Sequence, residues 1–152
     1  MATITSTPTL SKNLTINKKN KVTATISWST PDIPSNVTII SCILTGTSVV
    51  NMSKGSCTVE VNDVEISQNS NFSIDLGNDS TIKSVEVSAQ GDTGQSSGTV
   101  SFTNLLYTIT YEEKGLVIKN IYIGSVNVDN INIGNVKIIR TYVGEDMIYE
   151  NE

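Results

Sequence analysis

The chain has 152 residues and a net charge of −5, with 38% hydrophobic and 16% charged residues. This length suits a domain of ordinary size, and the apolar fraction is sufficient for a buried core. The acidic balance disfavours binding to nucleic-acid phosphates. Because the sequence contains no histidine, it excludes Ser-His-Asp and Cys-His catalysis and histidine metal sites. We therefore expect a protein that is not an enzyme and has no catalytic residue, cofactor or metal.

The N-terminal residues and the cysteines indicate the compartment. Met1 to Ser6 contain neither a basic segment nor an apolar run typical of a secretory signal. The most apolar stretch, residues 37–50, is too short and too polar to span a bilayer. We expect a soluble product made in a cytosol, with no membrane partner. There, Cys42 and Cys57 are expected as two buried free thiols, with one disulfide as the alternative.

Alternating apolar and polar residues predict strands along most of the chain. The clearest is Val22 to Trp28, where Val22, Ala24, Ile26 and Trp28 share one face. Further strands are predicted within residues 3–16, 37–44, 49–52, 57–66, 72–76, 85–89 and 100–102, with Gly46 breaking the second of these from the third. About seven short strands with regularly spaced turn residues are typical of a two-sheet β-sandwich. The predicted fold class is therefore all-β.

From Leu105 onward the chain repeats itself. Gly124, Gly134 and Gly144 are evenly spaced, and apolar residues recur at matching positions around them. Each glycine and the residue after it are predicted to form a two-residue hairpin turn. No such unit can bury its apolar face alone, and three units are few for a repeat module. We therefore divide the chain into a sandwich, residues 1–104, and a small β-hairpin repeat module, residues 105–152, which packs on the sandwich, another copy or another protein.

Two segments of the sandwich resemble a known family. Ala24 to Trp28 followed by Pro31, and the later segment Lys83 to Ser96 with its Val-x-Val-x-Ala and Gly-x-Ser spacing, resemble the immunoglobulin-like domains of the fibronectin type III kind. The resemblance implies an immunoglobulin-like β-sandwich. It implies no activity, since such sandwiches serve as scaffolds.

The C-terminal repeat resembles a different group of proteins. Its pattern (I/V)-(Y/N)-(I/V)-G-x-x-x-(I/V), ending at Tyr142 to Tyr149, looks like the hairpin repeats of tailed-bacteriophage virion proteins. The resemblance implies a virion structural protein, such as a capsid decoration, head-fibre or tail protein, assembled in the host bacterial cytoplasm. We expect an auxiliary protein on the capsid whose repeats attach it to other virion proteins, capsid or fibre subunits, or to further copies of itself.

All five tyrosines lie in the last third of the chain. Tyrosine suits interfaces because it joins an apolar ring to a polar hydroxyl. The expected partner interface comprises Tyr107, Tyr111, Tyr122, Tyr142 and Tyr149. Alternatively, these rings cover the repeat module's own core. A different function also remains open, a carbohydrate-binding module of a phage tail or head fibre that holds host or mucus glycans on exposed rings.

Three sets of polar residues resemble parts of catalytic, phosphate-binding or calcium sites but are predicted to be turns. Asp92-Thr93-Gly94 spells the aspartic-protease triplet, yet Gln90 and Gly91 precede it where that family has an apolar strand end. The run from Lys18 to Lys21 is predicted to be a solvated hairpin tip. Carboxylates and amides that could bind calcium lack the spacing of a calcium loop; they are Asn62, Asp63, Asp75, Asn78 and Asp79.

Overall fold

The computed structural model describes residues 1–114 and, as backbone strands, residues 117–118, 121–122, 137–138, 140–143 and 146–150. These residues form strands and turns and contain no helix. The predicted all-β sandwich is confirmed, with two antiparallel sheets. The chain divides into two compact units, the first comprising Met1–Ile33 and Ile39–Glu112, the second Pro34–Thr38 and Glu113–Glu152.

Ten strands build the sandwich. They are β1 (Ala2–Ser6), β2 (Thr9–Leu10), β3 (Leu14–Asn17), β4 (Lys21–Ser27), β5 (Val37–Lys54), β6 (Cys57–Val61), β7 (Val64–Glu65), β8 (Asn71–Asp75), β9 (Ser84–Gly91) and β10 (Ser97–Glu113). Sheet 1 has the order β1-β10-β5-β8, with β3 also paired to β10. Sheet 2 has the order β2-β4-β9-β6-β7.

The N-terminal segment differs from the single strand predicted within residues 3–16. It forms three strands, of which β1 and β3 pair with β10 in sheet 1, while β2 pairs with β4 in sheet 2. Pro8 is buried between β1 and β2. Because proline has no N–H to donate to a ladder, it interrupts the strand there. The segment therefore contributes to both sheets.

Gly46 does not break a strand, contrary to the prediction. β5 runs without interruption from Val37 to Lys54, and Gly46 pairs with Phe72 of β8. A Cβ atom on Gly46 would lie 2.8 Å from Cζ of Phe72 and 2.7 Å from Cδ2 of Leu105. Glycine suits this close packing, because a side chain at position 46 would force the Phe72 ring and the Leu105 side chain to shift.

The core lies between the two sheets and is built from their inward-facing side chains. Trp28, just after β4, stacks on Tyr107 of β10 with ring centroids 4.5 Å apart. The indole Nε1–H donates a hydrogen bond to the carbonyl of Ile82 over 3.0 Å. Cys42 in β5 and Cys57 in β6 are both buried as free thiols, as predicted, rather than joined in the alternative disulfide.

The boundary expected between residues 104 and 105 falls inside β10. This strand continues to Glu113, and its residues 107–111 pair with β1. Tyr107 and Ile109 are fully buried in the core. Residues 105–112 therefore belong to the first compact unit. The alternation that buries Val100 and Phe102 is interrupted at Asn104, which has a positive φ of 53°, and resumes one position out of phase with Tyr107 and Ile109 buried.

The C-terminal unit contains β11 (Val117–Ile118), β12 (Ile121–Tyr122), β13 (Lys137–Ile138), β14 (Arg140–Val143) and β15 (Asp146–Glu150). β11 pairs with β13 and β12 with β14, both in parallel, joining Val117 to Lys137 and Ile121 to Thr141. Each pairing thus spans two sequence repeats. These parallel pairs differ from the predicted stack of hairpins, in which neighbouring strands are antiparallel. Parallel strands need a long crossover connection rather than a tight turn.

One predicted hairpin does agree with the strand pairing. β14 pairs antiparallel with β15, and Val143 lies opposite Asp146, so that only Gly144 and Glu145 separate the paired ends. A two-residue connection is the commonest in hairpins. The turns themselves, predicted at Gly124, Gly134 and Gly144, lie outside the described residues.

Candidate interaction surfaces

Tyr107 is a core residue, which corrects its predicted place in a partner interface. Its side chain is 0% exposed, and its ring stacks on Trp28. Burial raises the pKa of the Tyr107 phenol well above its ordinary value, and the neighbouring Cys42 raises it further. A fully buried ring cannot reach a partner, so this position contributes to packing.

The other predicted interface tyrosines are on different strands. Tyr111 is half-buried in β10, opposite Ala2 of β1. In the C-terminal unit, the backbone places Tyr122 of β12 opposite Tyr142 of β14. Tyr149 of β15 lies opposite Thr141. The three-stranded sheet β12-β14-β15 therefore brings three of the five tyrosines together, while their side chains lie outside the described residues.

The outer face of sheet 1 is rich in hydroxyl groups. In the pairing of β1 with β10, Thr3 lies opposite Thr110 and Thr5 opposite Thr108. In the pairing of β5 with β8, Thr45 lies opposite Ser73. These side chains are exposed or half-buried and alternate with the buried Ile109 and with the half-buried Ile4, which packs against the core. A partner could cover the threonine-rich part of this face without removing charged groups from water, which is the costly part of forming an interface.

One open depression of about 390 Å³ lies on this side of the sandwich, lined by Thr45, Gly46, Thr47, Asn71, Phe72 and Asn104. Its polar groups already bond to one another, since Thr47 Oγ1 donates to Asn71 Oδ1 over 2.7 Å. The Phe72 ring is buried, at 8% exposure. The depression therefore presents hydroxyl and amide groups but almost no aromatic surface. A second depression, of about 330 Å³, is lined by Lys12, Asn13, Leu14, Thr15, Val22 and Thr23.

The outer face of sheet 2 carries an ion pair. Lys21 Nζ lies 3.0 Å from Glu60 Oε2, and the Ser88 hydroxyl donates to the same oxygen over 2.9 Å. The hydrogen bond from Lys21, followed by that from Ser88, holds the pKa of Glu60 below its ordinary value of 4.5. The same contact raises the pKa of Lys21. The ion pair joins β4 and β6 across β9, which lies between them.

Because of this ion pair, we expect the stability of the fold to vary with pH in the acid range. Because the folded-state pKa of Glu60 is lowered, its contribution is present above the unfolded-state pKa and is lost as the pH falls through the folded-state value. We expect Glu60→Gln to lower the thermal unfolding midpoint slightly at pH 7 and to leave it unchanged once the carboxyl is protonated. Glu112→Gln is the control, since Glu112 is an exposed carboxylate of β10 in the other sheet. Equal pH profiles for wild type and Glu60→Gln would contradict this assignment.

Asp92, Thr93 and Gly94 lie in the connection between β9 and β10, where a turn was predicted. The Thr58 hydroxyl donates to Asp92 Oδ1 over 3.0 Å. The buried Ser96 Oγ accepts the Thr93 N–H over 3.0 Å and donates to the carbonyl of Ser56 over 2.9 Å. The polar groups of this segment are therefore engaged in hydrogen bonds that hold the turn in place.

The oxygen-rich residues considered for calcium also serve local turns. Asp75 accepts the N–H of Gly77, and Asp79 accepts both the N–H and the hydroxyl of Thr81. Asn62 and Asp63 connect β6 to β7 with positive φ angles of 49° and 60°, as a tight hairpin turn requires. Within residues 1–114 and the described C-terminal strands, no group of three or more acidic or cysteine side chains could hold a metal ion.

The lysine run is an exposed turn, as predicted, but it is not the tip of a hairpin. It connects β3 in sheet 1 to β4 in sheet 2. Lys18 adopts a positive φ of 62°, and its N–H donates to the carbonyl of Ser96 over 2.7 Å. Gln90 Nε2 donates to the carbonyl of Lys19 over 3.0 Å. The sandwich holds this turn through its backbone and leaves the lysine side chains exposed.

No helix in the described part of the chain is long and apolar enough to cross a membrane. The chain was compared with protein-family models, with curated proteins and with solved structures, and none of them matches it.

Proposed function

We infer that this protein is a non-enzymatic structural component of a bacteriophage particle, an auxiliary or decoration protein attached to neighbouring virion proteins by its C-terminal β repeat. The repeat carries this proposal, because Gly124, Gly134 and Gly144 stand at equal spacing in a pattern similar to that of virion hairpin repeats. Its attachment to a β-sandwich is the second feature shared with such proteins.

The strand pairing in the C-terminal unit supports an attachment role. Parallel pairs join residues two repeats apart, so the repeated positions lie side by side on neighbouring strands. Strands of two to five residues bury little surface by themselves. Adding strands or covering surface from a neighbouring subunit would stabilise such a unit, in the way that strand addition does in other assemblies.

For the sandwich we propose an immunoglobulin-like fold of the fibronectin type III kind. The two segments that resemble that family are neighbours in sheet 2, where Ala24 lies opposite Val87 and Ile26 opposite Val85. In this proposal the sandwich projects from the particle as a scaffold. The C-terminal unit makes the attachment.

A truncation tests the attachment. Deletion must begin at residue 115, because removing residues from 106 onward would delete the core side chains Tyr107 and Ile109. We expect the chain 1–114 to fold, with a cooperative thermal transition and a β-type circular dichroism spectrum, but to be missing from purified particles in a mass-spectrometric inventory. The equally tagged full-length chain is the control. A folded 1–114 chain that joins particles at normal occupancy would contradict attachment by the repeat.

The carbohydrate-binding alternative has less support. It requires exposed aromatic rings, whereas Trp28, Phe72, Phe102 and Tyr107 are all buried. Within the described residues only Tyr111 is partly exposed, so glycan binding would depend on the tyrosines of the C-terminal unit. A glycan array probed with the full chain, and with Tyr122→Ala and Tyr142→Ala, separates the two functions. If the full chain binds a glycan and each substitution abolishes that binding, carbohydrate binding would replace attachment as the proposed function.

A further inference from the structure

The outer edge of β1 is a free strand edge of sheet 1. β1 pairs with β10 along its whole length, from Ala2 opposite Tyr111 to Ser6 opposite Tyr107. On its other side, no strand among the described residues pairs with it. An unpaired edge presents a row of backbone N–H and C=O groups that another strand can complete.

Apart from β3, which continues the same edge of β10 over four residues, the other edge strands are protected in ways that β1 is not. β2 and β7 are only two residues long, and β8 ends in the charged residue Asp75. Short strands and charged residues are the usual protection against edge-to-edge pairing. β1 has five residues, Ala-Thr-Ile-Thr-Ser, without a charge or a proline.

The central residues of β1, Thr3-Ile4-Thr5, read the same in both directions. If two copies pair antiparallel about Ile4, then Ile4 lies beside Ile4, Thr3 beside Thr5, and Ala2 beside Ser6. The exposed threonines of both copies then share the outer face, while the half-buried Ile4 side chains share the inner face. Matched side chains across an antiparallel pair are what stabilises a sheet.

Charge along the same edge favours an antiparallel over a parallel second copy. Beyond Tyr111, β10 continues with the acidic residues Glu112 and Glu113. In the register about Ile4, this acidic end of each copy lies beyond Ser6 of the other, and residues 7–12 there contain no acidic side chain and one lysine, Lys12. A parallel second copy would instead bring the two acidic ends together.

We propose that β1 is a self-association site, at which a second copy of this chain pairs antiparallel about Ile4 and joins the two copies of sheet 1 into one continuous sheet. A two-fold contact of this kind closes at the dimer. Five residues on each side make a small interface, so the dimer is weak in dilute solution and forms readily where copies are held close together. The proposal deepens the proposed structural function and rests on it for the setting in an assembly.

Two double variants of the full chain test the register. Thr3→Lys with Thr5→Lys places lysine beside lysine at both cross-copy pairs. Thr3→Lys with Thr5→Glu places lysine beside glutamate at both pairs. Both variants change the same two exposed positions, so any effect on the monomer is nearly matched. Sedimentation velocity over a range of about 10 µM to 1 mM in low salt covers the weak-interface regime, and thermal unfolding confirms that each variant is folded.

We expect concentration-dependent dimers for the wild type, about tenfold or greater loss of the association constant for the lysine–lysine variant, and recovery of dimers in the lysine–glutamate variant. A wild type that stays monomeric throughout the range would overturn the proposal. Equal association constants for the two variants would also overturn it, since the contact between copies would then lie elsewhere, for example in the C-terminal unit. These measurements are made without particles, so their failure is distinct from failure of the truncation experiment.

Discussion

Replacing Trp28 by alanine is expected to lower the free energy of unfolding by about 3–5 kcal/mol. The indole ring is 6% exposed and stacks on Tyr107, which is also buried, at a centroid distance of 4.5 Å. Its loss would leave a cavity at the centre of the sandwich and a carbonyl, that of Ile82, without its donor. Urea denaturation followed by far-UV circular dichroism measures the change, since the variant lacks the only tryptophan.

Trp28→Phe separates packing from hydrogen bonding at this position. Phenylalanine keeps an aromatic ring against Tyr107 but cannot donate to Ile82. We expect it to lose clearly less stability than alanine, with about 1–3 kcal/mol attributable to the unsatisfied carbonyl. If alanine and phenylalanine were equally mild, at under about 1 kcal/mol, Trp28 would not have the buried role described here.

Gly91→Ala is expected to destabilise the fold by about 2–3 kcal/mol. A Cβ at this position would collide with the backbone carbonyl oxygen of Lys18 and lie 2.5 Å from the Cβ of Ser96. Both obstacles are parts of fixed turns, because Lys18 and Ser96 are joined by a backbone hydrogen bond of 2.7 Å. The added methyl therefore has to displace the connection between β3 and β4. Chemical denaturation with the midpoint and slope fitted separately gives the change.

Gly94→Ala is the matched control for Gly91→Ala. It lies in the same β9–β10 connection, and a Cβ there would meet no atom within 4 Å. We expect little change, or a small gain from the reduced freedom of the unfolded chain. Similar losses for both substitutions would indicate that the connection tolerates no side chain at all, and the close approach of Lys18 would not be the cause.

Parts of the candidate surfaces could be predicted from sequence and parts could not. The even spacing of the three repeat glycines indicates a β repeat, yet it does not predict the parallel pairing of Ile121 with Thr141, because spacing does not specify which repeat pairs with which. The sequence does not distinguish Tyr107 from the other four tyrosines. Only its burial beside Trp28 in the structure shows that it is a core residue. The edge of β1 was missed because three short strands were interpreted as one, although Thr3-Ile4-Thr5 alternates like an exposed strand.

The sequence by itself determined the all-β class and the faces of the strands, since a period of two separates buried from exposed positions without any knowledge of neighbours. It placed β4 and β9 well, and it identified the segment 92–94 as a turn. Only the tertiary structure decided which sheet each strand joins, why Gly46 is a glycine, and which strand edge stays open. Those properties depend on contacts between residues far apart in the chain, such as Gly46 with Phe72, and alternation along one strand carries no information about its neighbour.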